Sequence, residues 1–413
     1  MTRRALFVVL LSACKIRNEQ SCEIPGVCVD TDGGQTCTGD PDCDAGVCKL
    51  PEGRCVGCLD AADCTSANTP VCNTATNSCE GCTVSADCAS QACNVATGAC
   101  FAADQVAYVE AGASGTCDAL SPCGSVQQAF DTDRLVIKLQ GTTEIVSSAK
   151  IVIDRDVLVL GDPGATLPVL RSTGTSTFEV TGDATLTIKD VELSGNTGDG
   201  IKIIDNASAT LDHVFLLNHT KLGISATSSN KLVMRGCVVA GNDDGGIALS
   251  DITFEITNTM LIANGASDST IGGMRSVSPG PDSIFEFNTI ADNTTMASQL
   301  PKAGADCSGT AFPAHNNIVA GIAGSLALEP SCQFDHSLFT GAATPLGTGN
   351  KATTDVRFDD IASGHERETD FYRLKSDSPA IDQAAASTIT VDIDGQLRPQ
   401  GAEPDMGADE VMP

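Results

Sequence analysis

The sequence has few of the aromatic and basic side chains with which proteins bind sugars and nucleic acids. It contains no Trp and only two Tyr in 413 residues, so the aromatic platforms on which sugar rings stack are nearly absent. Lys and Arg number 24 against 53 Asp and Glu, a formal net charge of -29. Because like charges repel, we expect no nucleic-acid partner, and polyanionic substrates are disfavoured unless calcium bridges them.

Long apolar runs are absent apart from a short one at the N-terminus. Residues 1–4 form a short basic segment that contains two arginines. Residues 5–13 are mostly apolar but too few to span a bilayer, and the run ends in Leu11-Ser-Ala-Cys14. This order resembles the signal peptide and lipobox of bacterial lipoproteins. The resemblance implies a signal segment at 1–14, lipidation of Cys14, a tether at 15–21, and a lipid anchor in the cell envelope, at the outer membrane or cell surface.

Cysteine, in contrast, is abundant, and fourteen of the twenty cysteines lie between Cys22 and Cys100. Apolar runs are almost absent there, so disulfides replace a hydrophobic core. Three units share the spacing Cys-x5-Cys-x4-or-7-Cys-x6-Cys, with Asp before the second cysteine of each, and Cys22 and Cys28 form a partial unit. The twelve cysteines of the three units are Cys37, Cys43, Cys48, Cys55, Cys58, Cys64, Cys72, Cys79, Cys82, Cys88, Cys93 and Cys100.

The spacing predicts a small disulfide-rich domain at residues 22–100, with two bridges inside each unit and the connectivity left open. Zinc binding at the Cys-x-x-Cys junctions is the alternative, and the absence of His before residue 213 disfavours it. The repeats resemble the short cysteine repeats of myxobacterial surface lipoproteins.

A second repeat follows, in which one pattern of about 23 residues recurs four times between Thr185 and Gly265. One apolar column consists of Leu193, Leu216, Val239 and Leu261, and another of Ile188, Leu211, Met234 and Ile256. Short apolar runs broken by Gly, Asn and Asp predict strands and turns. A unit this short buries its apolar face only by stacking on its neighbours, so the pattern predicts a parallel β-helix.

The flanks of the repeat resemble bacterial right-handed β-helix proteins of the pectin-lyase-like class. The shared features are an opening strand at residues 106–110, a loop between Cys117 and Cys123, a short helix at Ser125-Val-Gln-Gln128, and then coils. The resemblance implies a mainly β fold, with a right-handed parallel β-helix over residues 101–383 and a short N-terminal capping helix. Cys117 with Cys123, and Cys307 with Cys332, are the predicted disulfides of this region.

An asparagine column accompanies the apolar ones. It consists of Asn196, Asn218, Asn242 and Asn264, with Asn218 one place early. Inward amides at one turn of successive coils can hydrogen-bond one another and the backbone, so this column predicts a structural ladder.

The C-terminal part carries five motifs, among them Asp370-Phe-Tyr-Arg-Leu374 and Asp405-Met-Gly-Ala-Asp-Glu410. Their order resembles the choice-of-anchor Q type of bacterial β-helix proteins. We expect residues 384–413 to cap the last coil through a charged network. The expected members of this network are Asp382, Asp392, Asp394, Arg398 and Glu410. Asp392 and Asp394 also resemble the start of a calcium loop, but Leu397 replaces the glycine that such a loop requires, so ion pairs are preferred over calcium.

The strongest catalytic candidates lie in Asn242-Asp-Asp-Gly-Gly246. Paired carboxylates on a β-helix resemble polygalacturonases, where acids flank the glycosidic bond, but the Gly-His-Gly motif of those enzymes is missing. Asp243 and Asp244, with Arg235 as a nearby basic group, are the candidates; ordinary turn chemistry is the competing interpretation. His213 is interpreted as a turn residue rather than a metal ligand.

The sequence therefore predicts a non-catalytic envelope scaffold or adhesion protein. Its partner, a protein or a polysaccharide, is expected at the loops of residues 266–282 and 294–312, because binding in solenoids usually resides in extruded loops. The alternative is a carbohydrate-active protein: a polysaccharide lyase, a glycoside hydrolase or a glycan binder. No cofactor is predicted other than the calcium alternative. If Asp243, Asp244 and Arg235 lay with His213 in one groove, the carbohydrate-active alternative would be favoured.

Overall fold

The computed structural model describes residues 37–163, 166–195, 197–298, 302–307, 312–321, 328–329, 332–341, 347–362, 364, 366–367 and 370–412. The chain divides into two compact units at the boundary between Ala102 and Ala103. The predicted signal segment with Cys14, the tether, Cys22, Cys28 and Asn196 lie outside the described residues. No helix within the described ranges is long and apolar enough to cross a membrane.

The first unit consists of three small antiparallel hairpins, each preceded by a 3-10 turn. The turns are Asp40–Asp42, Ala61–Asp63 and Ser85–Asp87, and the strands are β1 (Val47–Lys49), β2 (Arg54–Val56), β3 (Val71–Asn73), β4 (Ser78–Glu80), β5 (Cys93–Asn94) and β6 (Ala99–Cys100). In each unit the first cysteine bonds to the third and the second to the fourth. The pairs are Cys37–Cys48, Cys43–Cys55, Cys58–Cys72, Cys64–Cys79, Cys82–Cys93 and Cys88–Cys100. These sulfur atoms are therefore engaged in disulfides rather than offered to zinc.

The Asp that precedes the second cysteine of each unit closes its turn. Asp42 accepts hydrogen bonds from the backbone N–H of Thr38 at 2.7 Å and from its hydroxyl at 2.8 Å. Asp87 accepts one from the backbone N–H of Thr83 at 2.8 Å. These backbone bonds are the main reason that the pKa of Asp42 and of Asp87 is lowered. The repeated Asp is thus a structural part of each cross-linked unit.

The second unit is a right-handed parallel β-helix that begins with a 3-10 turn, Ala103–Gln105, and its described residues include one short helix, α1 (Val126–Phe130). Its strands are β7 (Val106–Glu110), β8 (Ser114–Asp118), β9 (Ser121–Cys123), β10 (Val136–Gln140), β11 (Ile145–Ser147), β12 (Ile151–Ile153), β13 (Val157–Leu160), β14 (Val169–Ser172), β15 (Ser176–Val180), β16 (Thr185–Ser194), β17 (Asp199–Ile203), β18 (Ser208–Leu217), β19 (Leu222–Thr227), β20 (Lys231–Arg235), β21 (Val238–Ala240), β22 (Gly245–Ser250), β23 (Thr253–Thr257), β24 (Met260–Ile262), β25 (Met274–Val277), β26 (Ile284–Glu286), β27 (Thr289–Ala291), β28 (Ala305–Asp306), β29 (Ala314–His315), β30 (Ile318–Ala320), β31 (Phe334–Asp335), β32 (Leu338–Thr340) and β33 (Lys351–Thr353).

The strands of the coils form three parallel faces. Sheet I contains β12, β15, β17, β19, β22, β25 and β28. Sheet II contains β7, β10, β13, β20, β23, β26, β29 and β31, and sheet III contains β11, β14, β21, β24, β27, β30, β32 and β33. The long strands β16 and β18 bend and belong to both sheets II and III.

The predicted apolar columns are confirmed by the strand register. Ile188 pairs with Leu211, which pairs with Met234, and the column of Leu193 continues through Leu216 in the same way. All of these side chains are fully buried. Each buried aliphatic side chain of this size contributes roughly 1.5–3 kcal/mol to the free energy of unfolding, so the stacked columns are the main source of stability.

Sheets II and III meet at a one-residue corner with left-handed backbone. The residues at this corner, called the corner column below, are Asp190, His213, Gly236, Asn258, Phe287, Asn316 and His336, with φ between 45° and 59°. Asn, Asp and Gly reach this conformation at the lowest energetic cost, which explains their recurrence at one position of the coil.

The short helix covers the N-terminal end of the coils, as predicted. The hydroxyl of Ser125 accepts a hydrogen bond from the backbone N–H of Gln128 at 3.1 Å. The Gln128 amide donates to the carbonyl of Gly115 instead of completing a capping box. Val126 and Ala129 are fully buried, and a disulfide joins Cys117 to Cys123.

The C-terminal segment differs from the prediction of a cap on the last coil. The described residues between 356 and 412, called the C-terminal strap, lie along the outer face of sheet III. Outward residues such as Met260 and Ile318 pack against Leu374, Ile393 and Met406 of the strap in one buried cluster. Sheet III is apolar on both faces, as Val238-Val-Ala240 and Met260-Leu-Ile262 show. An apolar outer face requires a covering layer, and the strap supplies it.

A buried ion pair organises the strap. Arg398 and Glu410 are 2.9 Å apart and both side chains are 0% exposed. Arg398 also donates to the carbonyls of Asp405 and Gly407, and its guanidinium lies 4.4 Å above the ring of Phe287. Backbone hydrogen bonds connect the other predicted members to this pair. Asp392 accepts from the backbone N–H groups of Glu410 and Asp394, and Asp394 also pairs with Arg373. The backbone N–H of Asp382 donates to Asp405, whose own backbone N–H donates to Glu410.

The asparagine ladder is present, with one correction. Asn242 Oδ1 accepts from the backbone N–H of His219 at 3.0 Å and lies 2.8 Å from its Nδ1, while Asn242 Nδ2 donates to Asn264 Oδ1 at 2.8 Å. Asn264 in turn donates to Asn293 at 3.0 Å. The column therefore contains His219 and not Asn218, which is exposed with left-handed φ one place earlier. A second ladder joins Asn288 to Asn317.

His219 is the unusual member of the first ladder. Since Asn242 Oδ1 is an acceptor, Nδ1 of His219 carries the proton, and Nε2 has no partner among the described residues. Burial lowers the pKa of His219 to about 4. The neutral ring is therefore the form compatible with the folded chain.

We expect Arg398→Ala to lower the free energy of unfolding by about 3–5 kcal/mol, because it leaves the Glu410 carboxylate buried without its partner. The matched control is Arg171→Ala, which breaks an ion pair with Glu144 whose side chains are 44% and 41% exposed; it should cost less than about 1 kcal/mol. Urea unfolding of both variants measures the difference. Equal costs would contradict the assigned role of the strap.

We also expect His219→Asn to remove a pH dependence of stability. As pH falls from 6.5 to about 4, the unfolded chain protonates His219 while the folded chain does not, so stability is lost by up to roughly 3 kcal/mol. Asparagine does not titrate, so the stability of the variant relative to wild type should rise over that range. Burial raises the pKa of Asp405 and of Asp409 to about 6, but these groups titrate in both proteins and cancel in the difference. A pH-independent difference in urea midpoints would refute this account.

Candidate functional site

The sequence candidates for catalysis separate in the structure. Asp243 and Asp244 lie in the turn between sheets III and I, where Asp244 forms an ion pair with Lys221 at 2.8 Å. Arg235 is the last residue of β20 in sheet II. The corner residue and strand β21 of sheet III lie between Arg235 and the two aspartates. Arg235 pairs with Glu255 at 2.6 Å. The three candidates therefore do not form one constellation.

Arg235 and His213 instead line a cavity of about 570 Å³, called the corner cavity. Its floor is the outer surface of the corner column and of sheet II, and its roof is residues 388–395 of the strap. The polar and charged side chains that line it are Asp190, Asp212, His213, Arg235, Glu255, Thr257, Asn258, Glu286, Thr388, Thr390, Asp392 and Asp394. Asp243 and Asp244 are not among the lining residues. The cavity could not be predicted from the sequence, because its roof comes from a segment that is distant from its floor along the chain.

Several charged groups on the cavity floor have charged partners. His213 Nδ1 lies 2.7 Å from Asp190 Oδ1, and Glu255 contacts both Arg235 and Lys231. Burial opposes ionisation of Glu255, but the hydrogen bonds and charges of these two basic residues outweigh it and lower the pKa of Glu255. A general acid for glycosidic cleavage requires a raised pKa. Glu255 therefore has the wrong electrostatic environment for that role.

The calcium candidates of the strap also have partners. Carboxylate oxygens of Asp392, Asp394 and Asp409 lie within 4.8 Å of one another. Arg373 donates to Asp394 in a bidentate manner, at 2.8 and 2.7 Å, and Asp392 Oδ1 accepts from the backbone N–H groups of Asp394 and Gln396. The guanidinium of Arg373 thus balances one of the three carboxylate charges and engages Asp394, while negative charge remains at this cluster.

The loops predicted to bind a partner differ from the prediction in one respect. Residues 266–282 do not interrupt the stack, because β25 within them pairs with β22 in sheet I. What remains is a loop at 266–273, followed by a shorter connection at 278–283. In the predicted loop 294–312, residues 299–301 and 308–311 lie outside the described residues.

Both long loops emerge where sheet III turns into sheet I, a region called the loop corner. The backbone N–H of Thr294 donates to the Asn264 carbonyl, and that of Met296 donates to the Ser269 carbonyl at 2.9 Å. The Asp243–Asp244 turn lies at this same corner, one coil earlier. The loop corner is therefore a stacked surface of consecutive coils.

The remaining cysteines of the β-helix are inert. Cys307 and Cys332 form a disulfide. Cys237 is fully buried, its thiol donates towards the carbonyls of Arg235 and Leu211, and burial raises its pKa to about 12. A thiol in this environment is not a nucleophile.

Comparison with a family model supports the fold assignment. Residues 170–343 match a family model described as a right handed beta helix region. A crystal structure of pectate lyase Pel9A aligns at 15% identity over 74% of this chain and 96% of that chain, with a TM-score of 0.41. No curated protein matches the sequence.

Proposed function

We propose that this chain is a non-catalytic envelope lipoprotein that acts as an interaction scaffold, anchored through Cys14. The stacked loops at the loop corner would contact a partner, a protein or a polysaccharide. The N-terminal basic and apolar segments support the anchor. The six disulfides in the described part of the first unit are typical of exported proteins. The order of the C-terminal motifs supports the choice-of-anchor Q type.

The observation that carries the scaffold proposal is the separation of the catalytic candidates. Acid-base cleavage of a glycosidic bond requires two carboxyl groups about 5–9.5 Å apart on either side of the bond. Asp243 and Asp244 lie in one turn, where Asp244 is paired with Lys221, while the basic candidate Arg235 lies on sheet II and is paired with Glu255. The sequence motif that suggested an enzyme therefore belongs to a turn.

The loop corner has the features of a binding surface. At this corner, earlier coils turn within a few residues, as at Gly241 to Asp244, whereas the two later loops are longer and rest on each other. The coils beneath them are fixed by parallel strands and by the asparagine ladder. Rigid support of an exposed loop reduces the entropy that binding must overcome.

A loop-graft variant tests this surface. Residues 265–272 are replaced by Asp-Asp-Gly, the residues that join Asn242 to Gly246 in the preceding coil, so that Asn264 and Gly273 keep their places. We expect an unchanged far-UV spectrum and the loss of binding in glycan arrays and in cross-linking on the cell surface. The matched control replaces residues 278–281 with Asp-Ile. This dipeptide forms the corresponding turn of the preceding coil, at the other end of sheet I, and the control variant should bind like wild type.

Cleavage of a polysaccharide is assayed with and without calcium. If the chain cleaves one, and if the double variant Asp243→Ala with Asp244→Ala does not, the scaffold proposal is overturned in favour of the carbohydrate-active alternative. Retained binding by the loop graft would place the partner elsewhere on the chain.

The anchor is tested separately by Cys14→Ser. We expect this variant to lose incorporation of a radiolabelled fatty acid and to leave the membrane fraction, because the thiol is the acylation site of the lipobox. Cys237→Ser, which removes a buried thiol of the β-helix, is the control and should keep the label. Equal labelling of both variants would contradict lipidation at Cys14.

A further inference from the structure

We propose that the corner cavity is a binding site for a small organic cation, an ammonium or guanidinium group carried on an alkyl segment. The inference concerns a different surface from the loop corner and does not depend on the proposed scaffold function. Four observations support it: the origin of the space, the charge of its walls, one buried acceptor without a partner, and an apolar lining.

The cavity exists because the corner column carries glycine at one coil. His213 and Asn258, the neighbours of Gly236 in the column, both have side chains that line the cavity. At Gly236 itself φ is +59°, and the nearest atom to a Cβ built there is the Ile393 carbonyl oxygen of the roof, at 3.5 Å. A side chain at Gly236 would therefore extend into the space between floor and roof.

The walls carry more acceptors than donors. Carboxylates come from the floor, including Asp190 and Glu286, and from the roof at Asp392 and Asp394. The basic side chains among the lining residues are His213 and Arg235, and both already contact carboxylates. A cation entering this space gains favourable Coulomb energy from groups that are partly shielded from solvent.

Asn258 supplies the second, independent observation. Its side chain lines the cavity and the residue is 5% exposed. Nδ2 donates to the carbonyl of Val391 in the roof at 2.8 Å, which fixes the orientation of the amide because a carbonyl only accepts. Oδ1 is left buried without a hydrogen-bond partner among the described residues. Such an acceptor costs about 1–3 kcal/mol, and a ligand N–H that reaches Oδ1 through a small shift of the roof would satisfy it.

The lining also includes apolar surface suited to an alkyl chain. Ile284 comes from sheet II, and Ile389, Val391 and Ile393 come from the strap. Ile284 and Val391 are 42% and 39% exposed, more than their neighbours in the cores. A cavity of about 570 Å³ is within the size range of small-molecule sites. Acceptors beside aliphatic walls match an alkylamine better than a sugar, which would require aromatic platforms.

Isothermal titration of the full chain tests the proposal. The probe is 1,5-diaminopentane at physiological salt, with 1,5-pentanediol and glutarate as neutral and anionic molecules of the same length, and calcium chloride as the metal alone. We expect saturable 1:1 binding of the diamine and none of the diol or glutarate.

Two variants localise the binding. Gly236→Asn keeps the net charge and tolerates the left-handed backbone, so it fills the cavity without altering the overall field, and it should weaken diamine binding by at least about tenfold. Glu286→Gln should weaken it by about three- to tenfold, since it removes one wall charge. Asp268→Asn removes the same charge at the loop corner and should bind like wild type.

The proposal is overturned if the diamine does not bind, if the diol binds equally well, or if Gly236→Asn binds like wild type, which would indicate diffuse attraction to an acidic protein. Stoichiometric calcium binding that displaces the diamine would also overturn it, because the cavity would then be a metal site. If Gly236→Asn does not fold, the comparison of Glu286→Gln with Asp268→Asn decides.

Discussion

Parallel pairing of each coil with the next is the constraint on which the rest of this structure depends. Many strands contain only two to six residues, so no coil is stable alone, and side chains one coil apart must be compatible in size and polarity. That requirement produces the apolar columns inside, the amide ladders at the turns and the left-handed corner column. It also restricts variation to places where no strand pairs, which are the loop corner and the outer faces.

The same constraint explains what the sequence revealed. The columns of Ile188 and Leu193 were readable because stacking forces like residues to recur at a fixed interval. The asparagine ladder was readable for the same reason. The membership of His219 was not predicted, because histidine replaces asparagine as the hydrogen-bond donor to the next coil but does not match the repeated residue type. Periodicity therefore predicts positions more reliably than residue types.

Features that join distant segments were not predictable from the repeat. The strap contacts sheet III through residues far apart in sequence, as in the pairing of Arg367 with Glu192, and nothing in the period specifies that partner. The only local sign is that sheet III is apolar on both faces. The corner cavity was hidden for the same reason: its floor is formed by the corner column and sheet II, and its roof begins about 150 residues after Gly236, beyond the reach of local pattern analysis.

The strap also imposes an order on the synthesis of the molecule. A ribosome completes the coils that carry Glu192 long before it adds the segment that carries Arg367, which is 175 residues further on. Until then the outer face of sheet III has no cover. A premature stop codon after the last coil would thus leave complete coils with an open apolar face, a target for proteases and a route to aggregation.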